Sequence, residues 1–142
     1  MKISVKSEQQ TIEAAADIAA SLQPHDVVLL YGTLGMGKTV FARGLIKTLV
    51  AQPDLEIPSP TFTLVQTYES HQGAIYHYDL YRIKTPEEIF DCGWEEALNE
   101  GITIVEWPER LGNYKPEQRL DITLSNTENN PDSREILIER HT

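Results

Sequence analysis

The chain has a single cysteine, Cys92, among its 142 residues, so an intramolecular disulfide is excluded. Its longest unbroken apolar run, Val27 to Tyr31, falls far short of the ~20 residues that span a bilayer. The amino terminus, Met1-Lys2-Ile3-Ser4-Val5-Lys6, lacks the apolar stretch of a secretory signal. Together these absences predict a protein of the reducing cytoplasm with no membrane segment. Basic residues are scarce too: 12 against 22 acidic ones leave a net charge of −10. Such a surface repels phosphate backbones and disfavours a direct grip on nucleic acid. Service to a nucleic-acid pathway would therefore run through a protein partner. No internal repeat or long linker divides the chain, and its length and 40% hydrophobic content suit one domain with a sizeable core.

What is present is a glycine-rich loop. Gly32-Thr33-Leu34-Gly35-Met36-Gly37-Lys38-Thr39 satisfies G-x-x-x-x-G-K-[ST] at every fixed position. Asp26 to Tyr31 reads as the buried strand before it, and Val40 to Val50 as an amphipathic helix after it. That helix turns Phe41, Ala42, Leu45, Ile46 and Leu49 inward and stops near Pro53. The glycines let backbone N–H groups converge on phosphate oxygens, and the helix start adds its positive dipole end. Lys38 is the residue that reaches the β- and γ-phosphates, and the Thr39 hydroxyl is placed to ligate Mg²⁺. The pattern predicts a nucleoside triphosphate site.

The flanking segments predict an α/β fold with a mixed sheet. Ile3 and Val5 alternate in a short first strand. Ser7 and Gln10 form a capping box ahead of a helix whose apolar positions are Ile12, Ala15, Ala16, Ala19 and Leu22, with Pro24 ending it. Pro58 and Pro60 enforce an extended loop. Phe62 to Tyr68 and Ala74 to Tyr81 then read as antiparallel strands joined by Ser70-His71-Gln72-Gly73. Thr85-Pro86-Glu87-Glu88 is a helix start, and Ile102 to Val105 a further buried strand. Leu120, Ile122 and Leu124 face Ile136 and Ile138 across a polar loop, Asn126 to Ser133.

A nucleotide hydrolase also needs a carboxylate at the end of a neighbouring strand, holding Mg²⁺ directly or through water. Glu106, after Ile102 to Val105, is the candidate; the alternative is a surface residue that ends a strand. In His77-Tyr78-Asp79-Leu80-Tyr81-Arg82, strand alternation puts His77, Asp79 and Tyr81 on one face. That face reads either as an active-site wall or as the solvated side of an edge hairpin, with His77 a hydrogen-bonding support rather than a metal ligand. Thr61, in Ser59-Pro60-Thr61-Phe62, reads either as a switch-loop threonine near the γ-phosphate or as part of a simple turn. Trp107 stands either beside the site or in the core.

These four motifs, ending in Val105-Glu106-Trp107-Pro108-Glu109-Arg110, resemble in order and spacing the TsaE (YjeE) family over roughly Ser7 to Arg110. Its members are bacterial ATPases of tRNA threonylcarbamoyl-adenosine formation. The resemblance implies a P-loop NTPase-like three-layer fold, ATP and Mg²⁺ as cofactors, and action on a TsaD-like transferase with its TsaB-like companion. tRNA would be reached only indirectly. It further implies Lys38, Asp79, Glu106 and Thr61 as catalytic residues and Thr39 and Glu106 on the metal side, with Asp79 organising the water shell or attacking water. Trp107 would serve activity. Two positions depart from the family's pattern: Thr33 replaces a usual acidic residue, and Val40 replaces a second threonine that faces the α-phosphate.

Two other function classes fit a phosphate loop. A small-molecule kinase usually carries an arginine-rich lid, and no arginine cluster follows this loop. A GTP-binding switch carries Asn-Lys-x-Asp for guanine, which the chain lacks.

Overall fold

A computed structural model describes the chain apart from Leu34, Glu128 and Asn129, and apart from the side chain of Asn130. Among the described residues, seven strands form one sheet: β1 (Lys2–Val5), β2 (Val27–Tyr31), β3 (Val65–Ser70), β4 (Gly73–Asp79), β5 (Ile102–Glu106), β6 (Arg119–Thr127) and β7 (Asn130–His141). Their spatial order is β1-β7-β6-β2-β5-β4-β3. The central strands β6, β2, β5 and β4 run parallel, while β3 pairs antiparallel with β4, β7 with β6 and β1 with β7. This is the P-loop NTPase-like α/β fold with a mixed sheet.

Strand alternation separates the two faces of β2. Val28 and Leu30 join the core beneath α1 (Glu8–Ala19) and α2 (Lys38–Val50). Val27 and Leu29 join a second core beneath α3 (Trp94–Glu100) and the 3₁₀ segments Pro86–Cys92 and Pro108–Tyr114. Three layers result, with the sheet in the middle. Among the described residues, no helix is long and apolar enough to cross a membrane.

Several elements differ in detail from the sequence expectations. In α1 the buried stripe runs through Thr11, Ala14, Ala15, Ile18 and Ala19, while Ile12 and Ala16 are half-buried. The stripe is set by α2, which approaches so closely that a Cβ on Gly44 would lie 2.8 Å from the Ala15 Cβ. Only small residues allow that contact. Ser7 accepts from the Gln10 N–H as a cap should, but the Gln10 carboxamide oxygen returns to Lys6 N–H rather than to Ser7.

The first hairpin strand begins at Val65, not Phe62, because Leu64 N–H donates back to the Pro60 carbonyl and closes a turn with Leu64 at φ 69°. Its partner ends at Asp79. The segment opened by Thr85 is 3₁₀ rather than α-helical, although Glu88 caps Thr85 N–H as expected. Ile122 opposes Ile138 and Leu124 opposes Ile136, yet β6–β7 pairing continues through Asn126–Arg134 to Thr127–Asn130 with a shift in register. Strand pairing therefore reaches Asn126, Thr127 and Asn130 within the polar segment assigned to a loop, and Pro131, Asp132 and Ser133 fall at the shift in register. A ladder satisfies backbone groups that a long polar loop would leave to water.

Candidate functional site

The parallel strands all end on one edge of the sheet, and the phosphate-loop segment leaves β2 there to enter α2. Gly32, Gly35 and Gly37 each have positive φ, the conformation that suits glycine. A Cβ on Gly32 would stand 2.8 Å from the Leu124 carbonyl oxygen, so this position also needs glycine for close passage against β6. No side chain caps the start of α2 at Gly37. The first N–H groups and the positive dipole end therefore face the loop's concavity. Leu34, expected in the loop, lies outside the described residues; Thr33 is exposed.

Lys38, the first residue of α2, is only 5% exposed. Its ammonium donates to the Gly32 carbonyl at 2.6 Å and sits 3.2 Å from the centroid of the Trp107 ring. Burial pulls its pKa below the usual lysine range, opposed by the Glu109, Glu106 and Asp79 carboxylates. Trp107 is half-buried and packs on Tyr81 with ring centroids 4.9 Å apart. Its φ of 60° is unusual for a bulky residue before a proline, where the chain is ordinarily extended. Strain of this kind collects where a side chain is held in place for a purpose.

Glu106 ends β5, and the pairing of β5 with β4 sets Asp79 directly beside it. Both are nearly buried, so neither is a plain surface carboxylate, and β4 is flanked by β3 and β5 rather than lying at the edge. Glu106 Oε1 accepts the Thr39 hydroxyl at 2.8 Å, and its Oε2 meets His77 Nε2 at 2.7 Å. Asp79 Oδ2 accepts the Thr61 hydroxyl at 3.0 Å while Oδ1 accepts Tyr81 N–H at the same distance. Ser59 Oγ, 2.8 Å from Thr61 Oγ1, extends this second network into the proline-bounded loop.

Lys38, Thr39, Val40, Thr61, Asp79, Tyr81, Glu106 and Trp107 line one cavity of about 420 Å³, with Gly35 and Gly37. A second cavity of about 380 Å³ shares Gly35, Gly37 and Val40 with it and continues past Met36 to Lys6, Ser7, Thr11 and Arg134. The sequence reading missed that second set. Its members come from the β1–α1 connection, α1 and β7, which only the strand order brings beside α2, and no nucleotide-binding motif marks them. Hard oxygens at Thr39 and Glu106 are the donor type that Mg²⁺ takes, usually with phosphate oxygens completing the shell. The open loop, the buried cation and the adjoining cavities fit a nucleotide.

The family model described as threonylcarbamoyl adenosine biosynthesis protein TsaE matches residues 5–136. The chain belongs to the TsaE family. It is 44% identical over 126 residues to the tRNA threonylcarbamoyladenosine biosynthesis protein TsaE of Rickettsia conorii, covering 89% of this chain and 71% of that one. The similarly named protein of Aquifex aeolicus is 41% identical over 109 residues, covering 77% of each chain. The crystal structure of Bacillus subtilis YdiB superimposes with a TM-score of 0.77 at 29% identity, covering 100% of this chain and 86% of that one. The family match extends beyond Arg110 into β6 and β7, so the carboxy-terminal strands belong to the family's fold as well.

Proposed function

We propose that the chain is a cytoplasmic, Mg²⁺-dependent ATPase that supports formation of N6-threonylcarbamoyl-adenosine in tRNA. It acts on a complex of a TsaD-like transferase and a TsaB-like companion, reaches tRNA only through them, and does not itself transfer the threonylcarbamoyl group. Hydrolysis resets that complex between turnovers. The observation that carries this reading is the convergence of Lys38, Thr39, Thr61, Asp79 and Glu106 on one cavity at the start of α2. The names of the relatives supply the pathway.

In this reading the loop amides and Lys38 hold the phosphates, which displace the Gly32 carbonyl and the Trp107 face as partners of the ammonium. Thr39 and Glu106 hold the metal side. Bound Mg²⁺ would neutralise charge on the β- and γ-phosphates. Asp79, with Thr61, orients the attacking water. The nucleoside extends past Val40 into the second cavity. No arginine is among the residues lining the phosphate cavity, which disfavours a kinase lid, and the absent Asn-Lys-x-Asp segment disfavours guanine. Competition between ATP and GTP, read with Mg²⁺-dependent phosphate release, tests the proposal. A protein that releases no phosphate from ATP, or that prefers GTP, overturns it.

Two further results are expected. Glu106→Gln should raise the Mg²⁺ concentration needed for half-maximal turnover, whereas Asp79→Asn should mainly lower turnover at saturating Mg²⁺. Rate against Mg²⁺ for each variant decides this; the reverse phenotypes would exchange the two roles. Val40→Thr should tighten ATP binding, because its hydroxyl offers the α-phosphate another donor. The gain should stay below the about 1.5–3 kcal/mol that a hydrogen bond to a charged group contributes. An unchanged dissociation constant by calorimetry would show that position 40 does not meet the α-phosphate.

A further inference from the structure

His77 is fully buried on β4, on the sheet face otherwise filled by Ile75, Ile104 and the helices α1 and α2. An imidazole is a costly occupant of such a position, and here Nδ1 finds no partner among the described residues. The whole polar return on the residue is one contact, Nε2 to Glu106 Oε2 at 2.7 Å. A carboxylate has no hydrogen to give, so Nε2 carries the proton and donates it.

The consequence lies at the other oxygen. Glu106 Oε1 accepts the Thr39 hydroxyl at 2.8 Å. Threonine has a single hydroxyl hydrogen; spending it on Glu106 leaves both lone pairs of Oγ1 for a cation. That orientation holds only while the carboxylate plane is fixed. The terminal torsion of glutamate is broad, and glutamate has one more rotatable bond than aspartate. A second grip on Oε2 removes this freedom.

We propose that His77 is the positioning residue of the metal side: it locks Glu106, and through Glu106 it aims the Thr39 oxygen at the divalent cation. The inference rests on the reading that Thr39 and Glu106 hold Mg²⁺. His77 itself is not among the residues lining the phosphate cavity, so nucleotide binding without metal does not depend on it.

The test is calorimetric binding of the non-hydrolysable ATP analogue AMP-PNP, in Mg²⁺ and in EDTA, to wild type, His77→Gln, His77→Asn and His77→Leu. Glutamine carries an amide nitrogen to roughly the reach of Nε2; asparagine falls short, and leucine has no donor. The Mg²⁺-dependent gain in affinity is expected to fall about 10-fold or more in the asparagine and leucine variants, the usual scale for losing an outer support of a metal ligand. Glutamine should retain most of the gain, and affinities in EDTA should agree across all four. A merely structural histidine would move both conditions together or neither. Equal Mg²⁺ gain in wild type and His77→Asn, or glutamine as poor as asparagine, overturns the proposal. Should His77→Leu fail to fold, the glutamine–asparagine pair decides alone. A wild type that gains nothing from Mg²⁺ would instead overturn the metal reading beneath it.

Discussion

Lys38→Ala is expected to cut ATP turnover by about 10²–10³-fold, the scale for removing one preorganised charge-stabilising donor. The fold should survive. Among the described residues that line the phosphate cavity, Lys38 is the one lysine or arginine, so no neighbour there can replace its charge. Its ammonium is already desolvated, which strengthens every electrostatic contact it makes with a phosphate. What the folded protein loses is the bond to the Gly32 carbonyl and the contact with Trp107, both local to the loop. Phosphate release and circular dichroism on the same preparation check the two halves of the expectation. Near wild-type turnover in a folded variant would remove the central claim.

The isolated chain should be a slow ATPase, and its partner complex should accelerate it, by up to the about 10³–10⁵ that arginine fingers supply in related nucleotide hydrolases. The cavity has a lysine and carboxylates, but no arginine is among the described residues that line it. Arg82 lies with its guanidinium 4.3 Å from the Phe62 ring, and Arg110 is exposed on the segment after Trp107. Neither lines the cavity, so stimulation is expected to come from outside the chain. The net charge of −10 argues against tRNA as the direct source. Turnover should therefore be unmoved by tRNA alone and rise when the TsaB–TsaD complex is added. Fast turnover in isolation, or stimulation by bare tRNA, would count decisively against this account.

The two expectations draw on different kinds of information. Lys38 and Thr39 are legible in the bare sequence because the phosphate loop is a local device: backbone conformation, helix start and reactive side chains all lie within one short contiguous segment. The same holds for β2 and the inward face of α2, where periodicity alone selects Phe41, Ala42, Leu45 and Ile46, all fully buried in the fold. Where local pattern misled, tertiary contact had the casting vote. The stripe of α1 turned to admit Gly44, and Asn126, Thr127 and Asn130, assigned to a loop, are paired because β6 and β7 continue side by side.

Asp79, Glu106 and His77 belong to the second kind. Alternation alone left Asp79 on either an active-site wall or an edge hairpin. The parallel pairing of β4 with β5 places it beside Glu106, under α2. That pairing joins residues 27 positions apart in sequence, and no local preference encodes it. The same is true of the second cavity, whose walls come from both ends of the chain. Local chemistry thus determined the phosphate loop, the principal strands and helices, and the residue types able to work there. Strand order decided which carboxylate meets Thr39, what supports it, and which residues wall the second cavity, because those are long-range contacts set by packing rather than by sequence neighbours.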